Sequence, residues 1–113
     1  MNAARFGLPA SAIEKIGKVF ASYPQVQRAV LYGSRAKGNF KHGSDIDITL
    51  MGAALTQQLL GNIAEALDDL LLPYSIDLSI FADLNHPDLE AHIARVGVVF
   101  YERDGDGNGG VEA

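Results

Sequence analysis

The chain has 113 residues, 48% of them hydrophobic and 20% charged, enough for one domain built on a single sheet-and-helix core. Its formal charge is −5, but four acids and one base lie from Glu102 onward, and three further acids are Asp45, Asp47 and Asp77. What remains is near neutral, which argues against duplex nucleic acid as a partner. No apolar run approaches the roughly 20 residues of a membrane span, and the start, MNAARFGLPAS, lacks the apolar segment of a secretion signal. Without cysteine there is neither a disulfide framework nor a thiolate metal site, so the expected setting is cytoplasmic, away from any membrane.

Residues 9–22, PASAIEKIGKVFAS, predict an amphipathic helix with Pro9 in its first turn and Ile13, Ile16, Val19 and Phe20 on the buried stripe. QRAVLY, 27–32, reads as a strand that runs into Gly33-Ser34, and DIDITL, 45–50, as a second strand. A longer helix is predicted over 56–72, with Leu59, Leu60, Ile63, Leu67, Leu70 and Leu71 on one side and Pro73 as its stop. YSIDLSIF, 74–81, alternates as a third strand. Pro87 opens a short helix to about Arg95, with Gly97 just past its end, and VVFY, 98–101, is a last strand. The order predicts an α/β (α+β) domain, a mixed sheet of about four strands with helices packed against it. Residues 1–103 form that domain, and 104–113 a flexible acidic, glycine-rich tail. Within the tail, Asp104-x-Asp106-x-Asn108-Gly109 imitates the start of a calcium loop, but the chain stops before the twelfth position and its required glutamate.

Side chains alternate along a strand, so Asp45, Asp47 and Thr49 share one face while Ile46, Ile48 and Leu50 share the other. Ser75, Asp77 and Ser79 repeat the pattern. If the two strands are neighbours, three carboxylates gather opposite the core, where they repel one another and call for a cation. Mg²⁺ suits an all-oxygen set completed by phosphates and water. Upstream, Gly33 lets the backbone approach a ligand, and the turn 34–37 can open a short helix whose N–H groups meet an anion. Arg35, Lys37 and Lys41 add positive charge, although each taken singly reads as solvated surface. A Walker A loop is excluded, since Asn39 follows Gly38 where Lys-Ser/Thr is required. His42, His86 and His92 lack metal-ligand spacing and read as surface or helix residues. Tyr32 and Tyr101 read as packing residues with a wet hydroxyl.

The spacing Gly33-Ser34-x10-Asp45-x-Asp47, with Asp77 one strand later, resembles the nucleotidyltransferase superfamily that includes DNA polymerase beta. LYGSRAKGNFKHGSDIDITL is similar, more closely, to the minimal nucleotidyltransferases, short members often encoded beside a HEPN-domain toxin. The resemblance implies the nucleotidyltransferase fold, with Gly33, Ser34 and Lys37 contacting the phosphates of ATP. Asp45 and Asp47 would ligate two Mg²⁺ ions, with Asp77 completing one and helping to deprotonate the acceptor hydroxyl. It further implies an antitoxin that transfers AMP to a tyrosine of a HEPN partner encoded by an adjacent gene, working as a hetero-oligomer or a homodimer. Because the chain ends soon after its last strand, acceptor recognition is expected from a second chain. Two other readings are a module that neutralises the toxin by occlusion alone and a nucleotidyltransferase acting on a small molecule such as an antibiotic.

Overall fold

The computed structural model describes residues 5–41 and 43–103. The proposed tail and its calcium-loop imitation lie outside the described residues, as does His42. Helix α1, Ala10–Ala21, buries Ala12, Ile13, Ile16 and Phe20, the expected stripe with Val19 at its edge. Strand β1, Arg28–Tyr32, is buried from Ala29 to Tyr32 because helices cover both of its faces. The short helix α2, Ser34–Lys37, follows, then β2, Ile46–Met51, and α3, Gln57–Asp68. Strand β3, Ile76–Ile80, leads into a 3₁₀ turn, Phe81–Asp83, that the alternation of 74–81 did not predict. Helix α4, Pro87–Val96, and strand β4, Val98–Glu102, complete the described chain.

The sheet order is β3-β2-β1-β4. Strand β1 is antiparallel to β2 and to β4, whereas β2 and β3 run parallel around α3, so the sheet is mixed as expected. Its inner face carries Ala29, Leu31, Ile46, Ile48 and Leu50 against Ile13, Ile16 and Phe20 of α1 and Ile63 and Leu67 of α3. A smaller apolar group on the other face joins Val30 and Tyr32 to Ile93 of α4, with Met51, Phe81, Leu84 and Leu89 packed around it. That second face is the one the acids share.

Local chemistry sets the element ends. Thr56 caps α3 by accepting the Leu59 N–H at 3.1 Å. His86 caps α4 through Nδ1, which accepts the Leu89 N–H at 3.1 Å, while Glu90 accepts the His86 N–H at 3.2 Å. Arg103 ties the end of β4 to the end of α1, donating to the carbonyls of Phe20, Ala21, Tyr23 and Val26. Helix α3 ends at Asp68 rather than 72, because Leu71 turns left-handed at φ +57 and Pro73 disfavours a helical residue before it. Leu71 is therefore 88% exposed and does not belong to the leucine stripe.

Candidate active site

Strands β2 and β3 pair in register, Asp47 opposite Asp77 and Thr49 opposite Ser79, which puts the two acids side by side on the outer face. Tyr32 is the partner of Asp47 on the other flank. Asp45 precedes β2 by one residue and continues the same alternation. Asp45 and Asp77 are exposed and Asp47 is half-buried. Burial pushes the Asp47 carboxyl above its ordinary value, the charges of Asp77 and then Asp45 push it further, and His92 acts weakly the other way.

Gly33 brings the loop against the acids. It sits at φ +80 and ψ −157, a region open in practice only to glycine. A β-carbon built there would collide with Asp47 Oδ2 and lie 3.3 Å from its Cγ. The glycine thus admits a carboxylate of its own chain. Ser34, half-buried, begins α2, whose first N–H groups have no partner inside the helix. Gly38 closes α2 in the left-handed conformation, its N–H donating to the Ser34 carbonyl at 2.9 Å. Lys37, the last residue of α2, is exposed, as is Lys41.

Arg35 corrects the sequence expectation. Far from being solvated, it is 3% exposed. Its Nε and Nη2 donate to the Ser44 carbonyl at 3.0 and 2.8 Å, and Nη1 donates to the Phe6 carbonyl at 2.8 Å. The guanidinium also lies over the rings of Phe40 and Tyr74. Since Ser44 immediately precedes Asp45, this clamp fixes the approach to the first acid. His92 is a helix residue as expected, and it also reaches the site: its ring meets Tyr32 edge-on at 6.3 Å, and it acts on the Asp47 carboxyl. A readable signal existed in the spacing Leu89, His92, Ile93, Val96, which places the imidazole on the sheet-facing stripe of α4. Tyr32 packs as expected, but its hydroxyl end faces Ser79 and the acids.

Oxygen donors, mutual repulsion and a half-buried carboxyl fit a hard divalent cation. Among the described residues no three His, Asp or Glu groups are gathered tightly enough to enclose a metal alone. The acids form an open ledge instead, a shape that suits Mg²⁺ shared with phosphate oxygens. Two concavities, of about 270 Å³ beside Gln25 and Thr56 and about 250 Å³ beside Phe40 and Tyr74, are lined by none of the three acids. Among the described residues no helix is long and apolar enough to cross a membrane.

Comparison with known proteins follows the same outline. No curated protein matches the chain in sequence. Among solved structures, a chain of a toxin–antitoxin crystal structure with AMP-PNP superposes with a TM-score of 0.66 at 25% identity, over 83% of this chain and 76% of that one. A chain from the complex of tri-AMPylated Shewanella oneidensis HEPN toxin with MNT antitoxin gives 0.62 at 22%, over 82% and 71%. A chain of the toxin–antitoxin MntA–HepT gives 0.61 at 22%, over 82% and 72%. The last two identities speak to the fold alone. The family described as polymerase beta, nucleotidyltransferase, matches residues 14–106. Since that match runs from within α1 past the end of β4 and takes in every candidate residue, the chain belongs to the polymerase beta nucleotidyltransferase family.

Proposed function

We propose that this nucleotidyltransferase is the antitoxin of a HEPN/MNT pair and transfers AMP from ATP to a tyrosine hydroxyl of its HEPN toxin. The observation that carries the reading is the contact between Gly33 and the Asp47 carboxylate, with Asp77 in register beside it. It joins a phosphate-binding turn to an acid ledge, so one triphosphate reaches both. The likeness to a toxin–antitoxin structure with AMP-PNP supports the nucleotide and the kind of partner.

In this reading the N–H groups at Gly33 and Ser34 hold the β- and γ-phosphates, and Lys37 adds a charge to them. Asp45 and Asp47 would hold two Mg²⁺ ions, with Asp77 completing the ligand set of one. When bound, such ions activate the attacking oxygen and steady the departing pyrophosphate. Asp77, exposed at the rim, takes the proton of the acceptor hydroxyl as its oxygen attacks the α-phosphorus. The bond to pyrophosphate breaks as the new phosphodiester forms. A ledge with Asp45 and Asp77 exposed suits an acceptor presented by a second folded chain. Such a chain works in the cytoplasm, as a hetero-oligomer with its toxin.

The test is incubation of the purified chain with Mg²⁺, labelled ATP and the HEPN protein encoded beside it, followed by peptide mapping. Label on a toxin tyrosine, lost with Asp45→Asn plus Asp47→Asn, is the expected result. Neutralisation that survives both substitutions without label would mean occlusion instead.

A further inference from the structure

Two residues beyond the acid pair, on the same face, Thr49 and Ser79 form the next in-register pair of β2 and β3. Thr49 is completely buried. Among the described residues, neither Thr49 Oγ1 nor Ser79 Oγ, both buried, has a hydrogen-bond partner. A valine would fill the Thr49 site without stranding a hydroxyl, and a buried hydroxyl without a partner destabilises a fold. Two such groups side by side, beneath two repelling carboxylates, point to a purpose at the ledge. Ser79 also lies beside the Tyr32 phenol and acts on it as a hydrogen-bond partner would. Tyr32 pairs with Asp47 as Asp77 does on the other flank, so the phenol, the two hydroxyls and the acids share one face of the sheet.

We infer that Thr49 and Ser79 are positioning residues that hold one shared water and, through it, fix the carboxylates of Asp47 and Asp77 for their cation. Two hydroxyls and two carboxylates give the water the two to four polar partners it needs. Thr49 and Ser79 then stand behind the acids as outer partners stand behind metal ligands, where loss of such a partner typically weakens binding about 10–100-fold. This inference rests on the proposed cation-and-nucleotide reading of the ledge.

The experiment measures Mn²⁺ binding to the full chain by electron paramagnetic resonance with a non-hydrolysable ATP analogue present, and urea unfolding of the same proteins in chelator. Thr49→Val and Ser79→Ala are expected to raise the Mn²⁺ half-saturation concentration at least about tenfold, and Thr49→Ser to restore it. Without metal, Thr49→Val takes one partner from the water and is expected to unfold at a urea concentration no higher than the wild type; a clearly higher midpoint would mean that the hydroxyl holds no water. A crystal structure of the wild type is expected to show one ordered water touching both hydroxyls. If Thr49→Val and Ser79→Ala bind Mn²⁺ like the wild type while Asp47→Asn does not, the inference falls and the reading of the site stands. If wild type and Asp47→Asn behave alike, the reading fails and takes the inference with it.

Discussion

Substituting Gly33 by alanine separates the two demands made on that residue, and Gly38→Ala is its control. Both glycines have positive φ, +80 and +86, but a β-carbon at Gly38 meets nothing within 4 Å, whereas at Gly33 it meets the Asp47 carboxylate. The backbone region of Gly33 costs a non-glycine residue about 1–3 kcal/mol, and the left-handed region of Gly38 about 1–2 kcal/mol. At about 4 °C per kcal/mol for a domain of this size, Gly33→Ala melts roughly 4–12 °C lower and Gly38→Ala roughly 4–8 °C lower. The collision at Gly33 involves the end of a flexible side chain, so Asp47 relieves it by swinging aside at little further cost in stability. A carboxylate moved by an ångström costs about a hundredfold in rate. Thermal melts and AMP-transfer rates, measured on both variants, therefore diverge: similar melting losses, with transfer lost only in Gly33→Ala. Equal transfer in the two variants would refute the reasoning.

Asp47→Asn is expected to stabilise the metal-free protein at neutral pH. Because the folded carboxyl titrates above its ordinary 3.8, its charge costs the fold nothing at more acid pH and destabilises it as pH rises through the raised value. Urea midpoints in chelator should separate the variant from wild type at neutral pH and converge in acid; a variant less stable at neutral pH would contradict the assigned repulsion. Arg35→Lys cannot reproduce the fork to the carbonyls of Ser44 and Phe6, and a loss of about 2–4 kcal/mol is expected in urea unfolding. Leu71→Asn should add about 0.5–1 kcal/mol, since asparagine tolerates the left-handed turn and the exposed leucine buries little. A melt unchanged or lowered would mean that Leu71 is held by something other than its backbone.

Much of this was legible in the chain itself, because two periodicities carry it. The alternation of DIDITL and YSIDLSIF assigned Asp47 and Asp77 to the outer face, and the register of β2 with β3 puts them opposite one another. The apolar faces of α1 and β1 were equally plain. What escaped depends on groups far apart in sequence. Arg35 reads as surface until the carbonyls of Phe6 and Ser44 and the rings of Phe40 and Tyr74 converge around it. His92 acquires its place only when α4 is laid across β1. The leucines continue at helical spacing to Leu72, while the left-handed turn at Leu71 depends on the backbone leading into β3. The stranded hydroxyls of Thr49 and Ser79 become visible only as a pair across two strands.

In the proposed function the loop and the acids act as one receptor for a cation-bound triphosphate. Isothermal titration with a non-hydrolysable ATP analogue, with and without Mg²⁺, tests this on the wild type and on Asp45→Asn plus Asp47→Asn. Binding that requires Mg²⁺ and disappears in the double variant is the predicted result. Binding of equal strength without the ion, or undiminished when both carboxylates are neutralised, would contradict it.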